Sequence, residues 1–495
     1  MAGNGLSHKG ISVERFFNHP ASSPVIALPM ISESIVDRDM HIYFLDFQET
    51  LAFPNVDGKE NRSFYSIKVG SLAPSTTCYS PKGFNNFGLR VVHRHRPCSP
   101  FGGGRASHHQ ILGQDQARVN LIHSRISKST QKLQRQSASL PANLGIPFST
   151  SNYIVTVGFG TPKKDMTVAF DTGSDLTWIQ CKPCAFKCYN QTEPIFDSSQ
   201  STSFVKISCN SAECTRLSSA TGNPSSCDSA ACKCSIEYGD GSTSAGIFGQ
   251  ETLTLTSTDV IRNFRFGCGQ NNDGLFGETA GLLGLGRDSV SIVSQTARKY
   301  SQVFSYCLPS SSSSEGYLNF GTKAIRPRVN FTSLVSNPNA PSFYFLEMIG
   351  ISVGGIDIGI PPSTFSSPGT IIDSGTVITR LQPDAYSALK LAFQKGMSNY
   401  TMAPAYELFD TCYNFTGVDT VSVPTIKLRF KGGVDVDVGI YGTFYVVSQS
   451  QFCLAFAGNK NLGSIGIIGN RQQRTVNVVY DVAHGRIGFG ADGCS

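Results

Sequence analysis

The chain has 495 residues, 40% of them hydrophobic and 49 of them glycine, which is typical of a turn-rich, mainly β protein with more than one domain. Its formal net charge of +6 is concentrated in one block, because residues 81–140 carry 10 Lys/Arg against 1 Asp/Glu, or 10 − 1 = +9. Of nine histidines only His484 lies beyond residue 140, which argues against a Ser-His-Asp triad or a zinc site in the main part of the chain.

Residues 1–85 show no sustained hydrophobic periodicity, and the sequence assigns them no role. Their apolar runs are too short for a standard signal peptide. No stretch of the whole chain approaches the roughly 18 apolar residues that a membrane-spanning helix needs.

The basic block contains two predicted elements. Residues 89–98 (LRVVHRHRPC) have the composition of a short strand. Residues 115–133 predict an amphipathic, basic helix with Val119, Ile122, Ile126 and Leu133 as its apolar stripe. On charge alone, a solvated basic linker remains an alternative interpretation of this block.

One short phrase occurs twice, as VAFDTGS at 168–174 and as TIIDSGT at 370–376. The two aspartates, Asp171 and Asp373, are 373 − 171 = 202 positions apart, and each follows an apolar run that predicts a buried strand. The glycine that follows each aspartate allows a sharp turn. If the loops face each other, the two carboxyl groups meet, share one proton and titrate as a pair. We expect hydroxyl groups to donate hydrogen bonds that fix these carboxylates, namely those of Thr172, Ser174, Ser374 and Thr376.

Thirteen of the fifteen cysteines follow residue 150, and eight of them lie between Cys181 and Cys234. The Cys181-x-x-Cys184 pair has no second such pair and no histidine pair to complete a zinc site, so a disulfide-stapled insertion is predicted. Dense cysteine indicates an oxidising compartment. Four glycosylation sequons agree with it, at Asn190, Asn330, Asn399 and Asn414.

Two further patterns follow the first aspartate. Residues 236–246 (IEYGDGSTSAG) predict a β-hairpin with an Asp-Gly turn. Apolar, glycine-rich segments at 281–287 and 465–470 trail Asp171 by 281 − 171 = 110 and Asp373 by 465 − 373 = 92 positions, which indicates an internal duplication. Trp178, the only tryptophan, either supports a cleft wall or lies in the core.

These motifs resemble those of the pepsin-type aspartic proteases, and most closely the plant secreted group that includes the nepenthesins. The resemblance implies an all-β, bilobal fold with two related β-barrel-like lobes and the active site in the cleft between them. It implies that Asp171 and Asp373 are catalytic, that Tyr238 is the flap residue that covers substrate, and that Cys412 and Cys453 form a disulfide. The supporting residues that it implies around the aspartates are Thr172, Gly173, Ser174, Ser374, Gly375 and Thr376.

The resemblance also implies a division of the chain. An N-terminal region at 1–85 precedes a basic inhibitory prosegment at 86–140, which would lie over the anionic cleft. The polar composition of residues 137–151, with proline and glycine, predicts the processing site there. The N-terminal lobe would span 141–338, with a cysteine-rich insertion at 181–234, and the C-terminal lobe would span 339–495. Cys234 stands where relatives usually have another residue, so we expect it to be unpaired.

The predicted activity is hydrolysis of peptide bonds in proteins at acidic pH by a monomeric enzyme that needs no metal or other cofactor. A catalytically inactive binding or inhibitor protein of the same fold is the first alternative. The second is nucleic-acid binding through the basic block, suggested by similarity to a chloroplast-nucleoid protease. Secretion to the apoplast is the expected location, with the chloroplast as the alternative.

Overall fold

The first lobe is built from paired β-strands, one of which ends at the first aspartate. The computed structural model describes residues 63–73, 77–78, 88–101, 107–132, 152–238, 241–274, 276–310, 315–491 and 493–494. Neighbouring strands are mostly antiparallel, but Gly281–Gly284 runs parallel to Lys164–Asp171. The strands of this lobe are Tyr153–Phe159, Lys164–Asp171, Trp178–Lys182, Phe196–Asp197, Val205–Lys206, Ser226–Asp228, Ala231–Glu237, Thr243–Thr254, Val260–Asp273 and Gly281–Gly284.

A six-stranded sheet lies between the two lobes and takes strands from distant parts of the sequence. In spatial order its strands are Leu89–His93, Gly316–Phe320, Val303–Cys307, Asn477–Asp481, Arg486–Gly490 and Asn330–Val335. Leu89–His93 is the strand predicted in the basic block, and it also pairs with Tyr153–Phe159. The C-terminal hairpin is therefore an integral part of the molecule's centre.

The second lobe repeats the parallel pairing of the first. Thr370–Ile372 runs parallel to Gly466–Ile468, which is the counterpart of the parallel pair beside Asp171. The bilobal β fold that the resemblance implied is thus confirmed. The remaining strands of this lobe are Phe345–Leu346, Met348–Val353, Ile356–Asp357, Thr379–Leu381, Met402–Ala403, Cys412–Asn414, Thr420–Pro424, Ile426–Phe430, Val434–Val438, Phe444–Val446, Gln451–Leu454 and Phe456–Gly458.

The helix predicted in the basic block exists and is longer than predicted. It spans His108–Lys132 and is called the long helix below. Val119 and Ile122 of the predicted stripe are buried and Ile126 packs beside them, while Leu133 lies outside the described residues. The other helices are Val69–Leu72, Ala212–Thr221, Ile292–Gln295, Ala297–Tyr300, Ser363–Ser366, Pro383–Gly396 and Ile440–Thr443, with 3₁₀ turns at Ser198–Gln200 and Thr322–Ala324. Within the described residues, every helix is too short or too polar to cross a membrane.

A strand that the sequence did not predict lies in the N-terminal region. Phe64–Lys68 adds to the second lobe as the antiparallel partner of Thr420–Pro424. Its five residues are too few for a periodic signal to rise above the surrounding sequence. Residues 1–62 lie outside the described residues, as do the predicted processing segment at 137–151 and the tip of the predicted hairpin at 239–240.

Fourteen of the fifteen cysteines form disulfides. Cys412 and Cys453 face each other on paired strands and are bonded, as the resemblance implied. Cys181 is bonded to Cys268, which lies outside the predicted insertion on the strand Val260–Asp273. Cys234 is buried and forms no disulfide. The other bonds are Cys78–Cys98, Cys184–Cys188, Cys209–Cys227, Cys214–Cys232 and Cys307–Cys494. This density of disulfides indicates folding in an oxidising environment.

Candidate active site

The two aspartate loops meet at the interface of the lobes. Asp171 is the last residue of its strand, and Asp373 directly follows Thr370–Ile372. The apolar, glycine-rich segments run alongside, so that Gly284 lies opposite Asp171 and the Asp373 N–H donates to the Ile468 carbonyl at 3.0 Å. Neither aspartate has an exposed side chain, although each stands at the end of a strand where solvent would otherwise be expected.

Reciprocal hydrogen bonds connect the two loops. The Thr172 N–H donates to the Ser374 hydroxyl at 3.1 Å, and the Ser374 N–H donates to the Thr172 hydroxyl at 2.9 Å. The expectation that these two hydroxyls would donate to the carboxylates was therefore wrong. A side chain that directly follows the aspartate points away from its carboxylate and towards the opposite loop, so it holds the two loops in register.

The other predicted contacts around the carboxylates are present. The Ser174 hydroxyl donates to Asp171, and the Thr376 hydroxyl donates to Asp373 at 2.6 Å. The N–H groups of Gly173 and Gly375 donate to the carboxylate of their own loop at 2.9 and 3.1 Å. Each carboxylate is thus fixed by one hydroxyl and one main-chain donor, which preorganises its orientation.

Glycine is required at both loop positions because the opposite carboxylate approaches closely. A Cβ atom added to Gly173 would lie 2.8 Å from Oδ1 of Asp373. One added to Gly375 would lie 2.5 Å from Oδ1 of Asp171. Both separations are shorter than a carbon–oxygen contact allows, so a side chain at either position would push the pair apart.

Arg118 of the long helix lies between the two carboxylates. Its guanidinium donates to both oxygens of Asp171, at 2.6 and 3.0 Å, and to both oxygens of Asp373, at 2.8 and 2.9 Å. The arginine side chain is 12% exposed, and both aspartates are fully buried. A planar guanidinium matches two carboxylates better than a lysine ammonium would, because it offers donors on two edges.

Arg118 changes the protonation behaviour of the pair. Burial raises the pKa of Asp171, Arg118 opposes that rise, and the negative charge of Asp373 adds to it, so that this pKa stays above its ordinary value. Burial also acts to raise the pKa of Asp373, but the charge and hydrogen bonds of Arg118 outweigh it and hold that pKa below its ordinary value. The arginine therefore keeps the pair in a charged state that the two carboxylates could not maintain by themselves.

Sequence reasoning did not single out Arg118. It assigned the basic block as a whole to the anionic cleft, without saying which charge would reach the aspartates. A signal was present: Leu112, Asp115, Val119 and Ile122 repeat at helical spacing and are buried, and Arg118 lies on the same face. Polar residues embedded in an apolar stripe are candidates for buried pairing.

The predicted hairpin is formed, and a hydrogen bond from Trp178 holds its tyrosine in place. Ala231–Glu237 and Thr243–Thr254 pair antiparallel. The buried Tyr238 hydroxyl accepts a hydrogen bond of 2.6 Å from Nε1 of Trp178. Trp178 is fully buried and also packs edge-on against Phe276. Trp178 is therefore a core residue, and its indole N–H also holds the tyrosine of the hairpin.

The long helix also contacts the hairpin. Nη2 of Arg125 donates to the Glu237 carbonyl at 3.2 Å. The helix therefore touches the aspartates through Arg118 and the hairpin through Arg125, two turns apart on one face. It fills the space between the hairpin and the aspartate loops.

The comparisons with known proteins agree with this geometry. The models of the xylanase inhibitor N-terminal and C-terminal families match residues 153–322 and 343–491. An aspartyl protease family protein of Arabidopsis thaliana is 49% identical over 451 residues, covering 89% of this chain and 95% of the relative. The aspartic proteinase nepenthesin-2 of Nepenthes gracilis is 34% identical over 440 residues, covering 86% of this chain and 97% of the relative.

A solved structure supports the fold. Basic 7S globulin from soybean matches with a TM-score of 0.55 and 20% identity, covering 71% of this chain and 97% of that chain. Together, the duplicated aspartate loops, the parallel strand pairs beside them and the full-length relatives lead to one assignment. The chain belongs to the plant nepenthesin-like branch of the pepsin-type aspartyl protease family.

Proposed function

We propose that Asp171 and Asp373 are the catalytic pair of an aspartic endopeptidase that hydrolyses peptide bonds in proteins at acidic pH. One observation carries this proposal: both carboxylates, fully buried, lie within 3.0 Å of a single guanidinium, on two loops that hydrogen-bond to each other. Two carboxylates that converge on one small group can equally hold one water molecule and a peptide carbonyl.

Once Arg118 leaves, the pair retains one proton, because two adjacent buried carboxylates do not both ionise. The ionised carboxylate removes a proton from the water as the water oxygen attacks the carbonyl carbon. The protonated carboxyl donates to the carbonyl oxygen. The carbon–nitrogen bond then breaks, and the proton taken from water is delivered to the leaving amine. The requirement for one retained proton places the activity in the acid range.

Residues 86–140 are proposed to be the inhibitory prosegment of a zymogen, with residues 141–338 and 339–495 as the two lobes of the enzyme. The support is that the long helix contacts both the hairpin and the aspartate loops, and that the guanidinium of Arg118 lies between the two carboxylates, where the attacking water is proposed to bind. Val119 and Ile122 pack against Phe343 and Ile465 on the second lobe, which holds the helix in place by apolar contacts as well.

Acid favours release of the helix through the aspartate pair. While Arg118 is bound, its positive charge acts to lower the pKa of both Asp171 and Asp373, although burial keeps the pKa of Asp171 above its ordinary value. Both carboxyl groups therefore bind protons more tightly after it leaves, so release takes up protons and becomes more favourable as the pH falls.

Two other carboxyl groups respond to release. Burial raises the pKa of Asp175 to about 7, and the nearby Arg125 of the helix opposes that rise. Loss of Arg125 on release therefore removes one of the smaller influences that lower this pKa. Burial raises the pKa of Asp115 in the bound helix, and release returns it to its solvent value, so this group acts in the opposite direction. Because the two carboxyl groups of the pair favour release in acid and the single carboxyl of Asp115 opposes it, the expected net effect of acid is activation.

The substrates of this family are peptides, and we propose that the enzyme acts as a monomer in the apoplast, with the chloroplast as the alternative. The asparagines of all four glycosylation sequons have exposed side chains, which supports secretion. Nucleic acid is a weaker candidate partner for the basic block, because the charges of Arg118 and Arg125 are directed into the cleft. No metal is assigned to the mechanism.

A non-catalytic binding protein is the second candidate function. It is favoured by the inhibitor family models that match both lobes. Two observations argue against a binding protein. The hydroxyl group of each aspartate loop donates to its carboxylate, and Tyr238 is held by a hydrogen bond from Trp178. Loss of any of these features would be expected in a protein whose fold serves binding alone.

Digestion of a denatured protein across pH tests the two candidates. We expect the full chain to cleave the protein below about pH 5, where one carboxyl of the pair holds a proton, and pepstatin to block the cleavage. N-terminal sequencing of the enzyme should show that it has lost the basic block. Tight pepstatin-independent binding of a partner without cleavage at any pH would favour the binding protein.

The hydrogen bond between Trp178 and Tyr238 provides a finer prediction. Trp178→Phe should lower kcat/KM of the acid-activated enzyme about three- to tenfold, because one buried hydrogen bond that positions the flap is lost. Tyr238→Phe removes the same bond from the other side. The double variant should therefore lose little more than either single variant. Fully additive losses would show that the bond does not connect the two residues functionally.

A further inference from the structure

The long helix inserts a second charged side chain into the cleft beside Arg118. Asp115 is fully buried, three positions before Arg118. One of its carboxylate oxygens accepts from the Val377 N–H at 2.5 Å and the other from the Ile378 N–H at 3.2 Å. Nη2 of Arg380 lies 2.9 Å from the same carboxylate. The helix thus supplies a carboxylate to three donors of the second lobe.

The three donors are fixed by the lobe itself. Val377 directly follows Thr376, which holds Asp373. Arg380 belongs to the strand Thr379–Leu381, and its Nη1 donates to the Ile378 carbonyl at 2.8 Å. The Ile378 carbonyl therefore orients the guanidinium of Arg380 without neutralising its charge. The negative charge that faces Arg380 is the carboxylate of Asp115 on the long helix.

Departure of the helix uncovers these donors. Within the part of the chain that the structure describes, Nη2 of Arg380 contacts Asp115 and, at 3.4 Å, Gln116, and both residues belong to the long helix. Among the described residues, Asp115 is also the acceptor that the structure gives to the Val377 and Ile378 N–H groups. Water can bind to the uncovered donors, but an acidic ligand also matches the charge of Arg380, so the open cleft favours a ligand that replaces the carboxylate.

The spacing of Asp115 and Arg118 indicates how far the carboxylate site is from the bond that is cleaved. Three helical residues advance about 4.5 Å along the helix axis. An extended peptide advances about 3.3 Å per residue. The carboxylate site is therefore within about two residues of the bond that the aspartate pair cleaves.

We infer that Val377, Ile378 and Arg380 form a substrate subsite that selects an acidic side chain near the scissile bond. The prosegment occupies this subsite with Asp115 in the closed form. The inference rests on the proposed peptidase function. Leu112 packs against Val377 and Ile378 next to Asp115, so the same cleft offers an apolar position beside the acidic one.

The test uses the full chain with Asp115→Ala and Arg118→Glu, which removes the helix carboxylate from the three donors and the helix guanidinium from the aspartate pair. Paired fluorogenic peptides carry Glu or Gln at one position at a time on either side of the scissile bond. The assay is run at about pH 5, above the ordinary pKa of glutamate of about 4.3. At one position, Glu should raise kcat/KM about 10- to 100-fold over Gln, as expected for charge-assisted hydrogen bonds.

Adding Arg380→Gln should reduce this Glu-to-Gln ratio to about one, and adding Arg380→Lys should retain part of it. Arg429→Gln is the matched control, because Arg429 pairs with Asp357 and Asp435 on another sheet and should leave the ratio unchanged. Thermal unfolding of each variant shows whether it is folded. The peptide comparison in the parent chain needs no change at Arg380, so it remains decisive if that variant fails to fold.

Calorimetric binding of the same peptides separates the inference from the proposed function. Cleavage with equal rates for Glu and Gln at every position would overturn the subsite and leave the peptidase intact. Binding that prefers Glu without any cleavage would support the subsite and overturn the peptidase. Equal binding and equal cleavage would mean that the three donors serve only to hold the helix.

Discussion

Asp171→Asn and Asp373→Asn are each expected to abolish peptide-bond hydrolysis, with a loss of at least about 10⁴-fold in kcat. Asparagine has the same shape as aspartate, and its amide can neither accept the proton of the attacking water nor supply one to the carbonyl oxygen. Because the two carboxyls act as one unit, the double variant should lose no more activity than either single variant. The measurement is the initial rate of pepstatin-sensitive cleavage of a fluorogenic peptide in acid.

The control for this prediction is Asp165→Asn. Asp165 lies on the same strand as Asp171 but is exposed, where it pairs with Lys163. A surface pair of this kind contributes little, so both activity and stability should be retained. Thermal unfolding should show that the asparagine variants remain folded. Substantial activity in either variant of the pair would contradict the mechanism.

Arg118→Glu is expected to abolish the latency of the full chain. It replaces four donor contacts by a carboxylate next to two others, and loss of one partner of a buried ion pair typically costs about 3–5 kcal/mol. The closed form should therefore become about 10²- to 4 × 10³-fold less populated relative to the open form. Initial cleavage rates, taken before the chain is processed and with its mass confirmed, should be far higher for the variant than for the wild type.

Asn120→Glu provides the matched control, because Asn120 is an exposed residue of the same helix whose side chain accepts from Gln116 rather than from the cleft. It adds an acidic residue to the same segment without touching the aspartate pair, so latency should be preserved. If Arg118→Glu stays as latent as the wild type, the helix does not inhibit through the pair, and apolar packing alone would have to hold it.

Some features of the site are local in sequence and could be predicted. Each aspartate and its hydroxyl and glycine neighbours occupy four consecutive residues. The same short segment therefore specifies both the reactive carboxyl group and the turn that holds it. The duplication adds long-range information, because two similar phrases predict two similar lobes. The hairpin was predictable for the same reason, since its Asp-Gly turn and flanking strands are contiguous.

Other features depend on pairings that no local pattern encodes. The hydroxyls of Thr172 and Ser374 were expected to donate to the carboxylates, whereas each accepts a hydrogen bond from the main chain of the opposite loop. The partner of Trp178 lies 60 residues away at Tyr238. Such choices are decided by which surfaces face each other after the lobes have packed.

The sequence by itself determined that two acidic loops of one kind end two apolar strands, that the chain is duplicated and β-rich, and that a basic helical segment precedes it. Only the tertiary structure decided that Arg118 occupies the aspartate pair and that Asp115 meets Arg380. Arg118 is separated from Asp373 by 255 positions, and 380 − 115 = 265 positions separate Asp115 from Arg380. The physical reason is that a buried charge is stable only beside its partner, and the identity of that partner is fixed by the packing of distant elements.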